Sequence, residues 1–123
     1  MQDITRYGII GCGMMGQEHL RNIALLPATA AVAIFVPAAK MRLAAQRLAP
    51  DAVFVESLDQ LLAREDLDCL VIVSPNHVHL EQLERIADYP ARSVLVEKPL
   101  FTNAQDLARV EAFKTHYGAP VWV

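Results

Sequence analysis

Gly11-Cys12-Gly13-Met14-Met15-Gly16 follows the apolar run Tyr7-Gly8-Ile9-Ile10 and opens a helix-like segment from Gln17 to Leu26. A G-x-G-x-x-G set between a strand and a helix does three physical jobs. Gly11 permits a tight turn, Gly13 lets a pyrophosphate approach bare backbone, and Gly16 lets helix and strand pack closely. The free N–H groups and the positive end of the helix dipole then hold the anion, which makes Gly11, Gly13, Met14, Met15 and Gly16 candidate cofactor-binding residues. An ordinary glycine turn is the competing reading, and the strand before and helix after weigh against it.

Outward from this loop, short β-branched runs alternate with segments of helical period. That alternation is the signature of βαβ units on a parallel sheet. The strand candidates are Tyr7–Ile10, Ala31–Val36, Ala52–Val55, Asp68–Val73, Ser93–Val96 and Pro120–Val123, several of them continuous apolar runs suited to burial on both faces. The first helix carries Leu20, Ile23 and Ala24 and stops at Pro27; the second repeats Met41, Ala44, Ala45 and Leu48. Ser57-x-x-Gln60 and Thr102-x-x-Gln105 read as capping boxes for the third and fifth helices, and Gly118 as a C-terminal cap. The fourth helix follows Asn76, its candidate cap, and buries Leu80, Leu83, Ile86 and Ala87, while the fifth has the stripe Leu107, Val110 and Phe113. The predicted fold is α/β, a doubly wound parallel sheet of six strands in the order 3-2-1-4-5-6.

Composition limits the function classes. The chain has 123 residues, enough for one self-sufficient domain, and is 54% hydrophobic and 20% charged. A net charge of −3 leaves no basic excess for a nucleic acid, and no apolar run approaches the length of a membrane span. Cys12 and Cys69 show neither metal-ligand nor disulfide-framework spacing, so a reducing, cytoplasmic setting is expected. The sequence ends on Val121-Trp122-Val123 in mid-strand, which suggests the first part of a longer protein; a complete small protein with a frayed last strand is the alternative.

In a doubly wound sheet the ligand crosses the carboxyl ends of the strands at the switch point. The fourth strand ends in Val73-Ser74-Pro75-Asn76-His77-Val78-His79, where Pro75 forces Ser74 into an extended conformation. His77 and His79 are two apart and on different helix faces, so a metal pair is not expected, and one of them lining a cofactor pocket is. The fifth strand ends in Val96-Glu97-Lys98-Pro99. Two readings stand there: a solvated charge pair at a strand tip, or a lysine beside a cofactor, placed to act as an acid or donor.

Taken together, the glycine loop with Gln17-Glu18-His19, then Ser74-Pro75-Asn76 with His79 three on, then Glu97-Lys98-Pro99, resemble the nucleotide-binding half of the glucose-fructose oxidoreductase / inositol dehydrogenase (Gfo/Idh/MocA) family. The likeness spans essentially the whole chain. It implies an NAD- or NADP-binding Rossmann domain over residues 1–123, followed in the full-length protein by an α/β substrate domain. It implies that Lys98 is the catalytic lysine, that Glu97 helps place the nicotinamide end, and that Ser74, Pro75, Asn76 and His79 line the cofactor. The implied activity is oxidation of a secondary alcohol of a sugar, cyclitol or related small molecule by an enzyme that is a homo-oligomer when intact. These residues alone are expected to fold without turning over substrate, because the family's remaining catalytic residues lie in the second domain.

One departure concerns cofactor choice. About 20 residues beyond the loop, where the fingerprint has an acid for the ribose hydroxyls, this chain has Val36, followed by Pro37. Lys40 and Arg42 are near enough in sequence to meet a 2′-phosphate instead, which leans the reading toward NADP, although both also suit a solvated helix face. Two other classes compete with the dehydrogenase. A non-catalytic sensor or scaffold module would make Lys98 structural, and a methyltransferase with a similar glycine loop would leave Glu97-Lys98-Pro99 unexplained.

Overall fold

The structure is a computed structural model describing residues 3–123. Six strands alternate with five helices: β1 (Thr5–Ile10), α1 (Met14–Leu25), β2 (Thr29–Phe35), α2 (Ala39–Leu48), β3 (Val53–Phe54), α3 (Leu58–Leu62), β4 (Cys69–Ile72), α4 (His79–Ile86), β5 (Ser93–Val96), α5 (Leu107–His116) and β6 (Val121–Trp122). All pairings are parallel and the order is β3-β2-β1-β4-β5-β6. The doubly wound sheet read from the sequence is therefore the fold. Among the described residues, no helix is long and apolar enough to cross a membrane.

Because neighbouring strand residues point to opposite faces, Ile9 and Ile10 enter different cores. Ile9 joins Cys12, Leu20, Ile23, Ile34, Val36, Ala45, Val71 and Val73 beneath α1 and α2. Ile10 joins Leu61, Leu62, Leu70, Ile72, Leu83, Ile86 and Val96 beneath α3 and α4. Both faces of the central strands are dry, as their unbroken apolar runs require.

Local details differ from the expected pattern in four places. Ala24 and Ala87 are exposed, because small residues at the edge of an apolar stripe are not needed to fill the core. The Ser57 box forms: Gln60 N–H donates to Ser57 Oγ at 3.1 Å, a cap worth about 1 kcal/mol, but the Gln60 side chain accepts from Glu56 N–H at 2.8 Å rather than from Ser57. The Thr102 box does not form. Asn103 Oδ1 instead accepts from Gln105 N–H at 2.9 Å and starts a short 3-10 turn, Ala104–Asp106, ahead of α5. Gly118 is not the cap either, since α5 ends at His116 with Tyr117 extended behind it, and no residue of α5 is fully buried.

Candidate functional site

The glycine loop begins where β1 ends. Gly11 N–H donates to Phe35 O at 2.7 Å, and its φ of +85° is one that glycine adopts without strain. A Cβ there would stand 2.5 Å from Ser74 Cα and 2.6 Å from Ser74 N, so the loop lies directly on the backbone leaving β4. Gly13 is the opposite case: its backbone is extended, and a Cβ would meet nothing within 4 Å. A Cβ on Gly16 would touch Val73 Cγ2 at 3.0 Å and Cys12 Sγ at 3.2 Å, which keeps α1 close to the sheet. Cys12 is 1% exposed, and burial pushes its thiol above its ordinary pKa.

No side chain caps α1 and no acid stands in its first turn. Its first intrahelical bond runs from Gln17 N–H to Gly13 O at 3.0 Å, so the N–H groups of Met14, Met15 and Gly16 have no acceptor within the helix. An uncapped helix start beside the open face of Gly13 fits a pyrophosphate in charge, donors and space.

These donors face an open groove of about 1210 Å³ that crosses the strand ends and is lined by the glycine loop, Val36 to Ala38, Ser74 to Asn76, Glu97 and Lys98. Met14 and Met15 stand exposed at its rim. Val36 and Pro37, with Ala38 and Met41, make one wall apolar. Neither of the two cations near that wall in sequence lines this groove. Arg42 lies over the Phe54 ring, 5.9 Å from its centre, and donates to Glu56 Oε1 at 3.0 Å and Phe54 O at 3.3 Å. Lys40 lines a second, smaller depression with Gln17 and Arg47.

At the β4 end, Ser74 Oγ donates to Gln82 Oε1, while Pro75 and Asn76 are exposed. Asn76 does not cap the following helix. It opens a 3-10 turn, Asn76–Val78, and its side chain is left toward the groove it helps to line. His77 is exposed, but His79 is fully buried, with Nε2 2.8 Å from Ser74 O and Nδ1 2.8 Å from Pro99 O. His79 is therefore not part of the groove wall, contrary to the place the resemblance implied for it. The fourth helix begins on this residue, and turning it inward puts the ring beneath both loops.

At the β5 end, Glu97 and Lys98 do not pair with each other. Glu97 Oε1 lies 3.0 Å from Nε2 of His19, which is one turn beyond Gly16 on α1, and Lys98 is left exposed at the groove without an ion-pair partner among the described residues. His19 is the residue that sequence reasoning did not assign to the site. Its spacing from Gly16 puts it on the sheet-facing side of α1, but its partner is 78 residues away, so only the fold brings the two together.

Residues 5–123 match the Gfo/Idh/MocA family, described as an oxidoreductase family with an NAD-binding Rossmann fold. The chain is 39% identical over 106 residues to an inositol 2-dehydrogenase of Gluconacetobacter diazotrophicus, covering 84% of this chain and 31% of that protein. It is similar in structure to the WlbA dehydrogenase of Bordetella pertussis in complex with NADH and UDP-GlcNAcA, with a TM-score of 0.83 at 27% identity over 98% of this chain and 35% of that one. The fold also matches that of myo-inositol dehydrogenase from Lactobacillus casei in complex with NAD(H) and myo-inositol, with a TM-score of 0.84 at 23% identity over 96% of this chain and 36% of that one. The chain thus spans about a third of the length of the relatives it matches.

Proposed function

The chain belongs to the Gfo/Idh/MocA oxidoreductase family, and on that premise we propose that it is the cofactor-binding domain of an NAD(P)-dependent dehydrogenase acting on a secondary alcohol of a cyclitol, sugar or related small molecule. The observation that carries the reading is that the uncapped start of α1 and the unpaired Lys98 open on one groove. A bound nicotinamide supplies the hydride acceptor or donor. In this reading the N–H groups of Met14, Met15 and Gly16 hold the pyrophosphate. Ser74, Pro75 and Asn76 form the facing wall. Glu97, held by His19, borders the reacting end, and Lys98 exchanges a proton with the substrate hydroxyl. The polyol pocket and the remaining catalytic groups are assigned to chain beyond these residues, in a homo-oligomeric enzyme. The free thiols of Cys12 and Cys69 favour a cytoplasmic setting.

Cofactor choice follows from the apolar wall. No acid there rejects a 2′-phosphate, which keeps NADP acceptable, but with Arg42 committed to Glu56 only Lys40 remains nearby in sequence to reward it. The expectation is weak discrimination. Calorimetric titration of the chain should show NAD+ and NADP+ binding with affinities within about tenfold, or 1.4 kcal/mol. Failure of both to bind refutes the proposed function, and a preference beyond about a hundredfold refutes this account of the wall. Val36→Asp should move the preference toward NAD+ by about 1–3 kcal/mol, the scale of a hydrogen bond to a charged group. It should also lower the stability of the free chain, because Val36 is 3% exposed and packs in the core beneath α1 and α2.

A further inference from the structure

His79 is the one fully buried polar residue among the described residues, and its ring meets a carbonyl oxygen at each end. Ser74 lies two residues past β4 and Pro99 three past β5, so neither oxygen is in the sheet ladder, and no backbone N–H among the described residues donates to either. A neutral imidazole has one N–H and one lone pair. Set 2.8 Å from two carbonyl oxygens, it would satisfy one and turn a lone pair on the other. Only a ring with both nitrogens protonated makes two hydrogen bonds here, and such charge-assisted bonds are the stronger kind.

Among the described residues the two carbonyls are the ring's only hydrogen-bond partners. Glu81 on α4 is exposed, Glu97 is held by His19, and Lys98 is at the solvent; none forms an ion pair with the ring. The first turn of α4 by itself disfavours a cation, so the two oxygens must supply the compensation.

We propose that His79 is a positioning residue, a doubly donating imidazole that ties the loop after β4 to the loop after β5 and thereby fixes both the Ser74–Asn76 wall of the groove and Lys98 relative to the glycine loop. The connection is continuous. Gly11 rests on the Ser74 backbone, Ser74 O receives one ring N–H, and the other ring N–H holds Pro99, next to Lys98. Its importance for the cofactor rests on the proposed function above; the clamp itself does not.

The test starts with the unmodified chain. Proton–nitrogen NMR of the labelled imidazoles should show His79 with two protonated nitrogens at neutral pH, with and without NAD+. A ring with one lone-pair nitrogen overturns the proposal and needs no variant to detect. His79→Gln retains a donor at only one end. It should shift the backbone amides of residues 74–76 and of residues 97–100 together, and weaken NAD+ binding about tenfold, equivalent to 1.4 kcal/mol. Shifts confined to one of the two loops, or an unchanged NAD+ affinity with both loops shifted, refute the positioning role. If the unmodified chain binds neither NAD+ nor NADP+, the proposed function fails, while the ring spectrum and the paired loop shifts still decide whether the clamp exists.

Discussion

Gly11→Ala is expected to destabilise the chain by about 2–5 kcal/mol, whereas Gly13→Val should leave stability within about 1 kcal/mol of the original and abolish NAD(P) binding. Two independent penalties act at Gly11. A φ of +85° disfavours any side chain, and the new Cβ would fall 2.5 Å from Ser74 Cα, a backbone atom that cannot rotate away. At Gly13 neither penalty applies, since the backbone is extended and the Cβ position is open. The space a valine would fill is the space in front of the free N–H groups of α1, where the pyrophosphate is proposed to lie. Both variants should lose cofactor, one with the fold and one without it. Urea unfolding and calorimetry on the same samples separate the two cases. Wild-type stability in Gly11→Ala would contradict the close approach to Ser74, and wild-type NAD(P) affinity in Gly13→Val would remove the groove as the cofactor site.

How much of this was legible in the sequence depends on the range of the cause. The sheet order, the turn at Gly11 and the close packing at Gly16 follow from local patterns, because strand period, helix period and the loop between them occupy adjacent residues. The turn that leads into α5 is a local choice that composition leaves open: Thr102 and Asn103 both carry a capping oxygen, and Asn103 caps the 3-10 turn ahead of the helix. Side-chain allegiance across the sheet is beyond such reading. Arg42 is near the end of β2 in sequence, but β3 and the segment after it present the Phe54 ring and the Glu56 carboxylate, and those capture it. Glu97 beside Lys98 looks like an ion pair until α1 delivers His19. His79 has helical spacing from Asn76 that says nothing of which way the ring turns, and its two acceptors are 5 and 20 residues away on different strand ends.

Lys98→Ala in the intact enzyme is expected to lower turnover by roughly 100- to 10,000-fold, the range for loss of a positioned proton donor or acceptor, while NAD(P) affinity stays within about threefold. The separation arises because the proposed pyrophosphate donors are backbone N–H groups of α1, untouched by the change, and because Glu97 is held by His19 rather than by Lys98. A lysine that served only to hold the loop would give the reverse pattern, with weakened cofactor binding and little loss in turnover at saturating cofactor. The 123-residue chain itself should bind cofactor and reduce none. Lys98 stands exposed in an open groove, so water reaches it, and the groups that would fix a substrate carbon against the nicotinamide are proposed to come from outside these residues. Assaying the chain, the intact enzyme and its Lys98→Ala variant with one panel of polyols and both cofactors decides the matter. Turnover by the chain equal to that of the intact enzyme would refute a mechanism completed from outside these residues, and full activity in the variant would remove Lys98 from the chemistry.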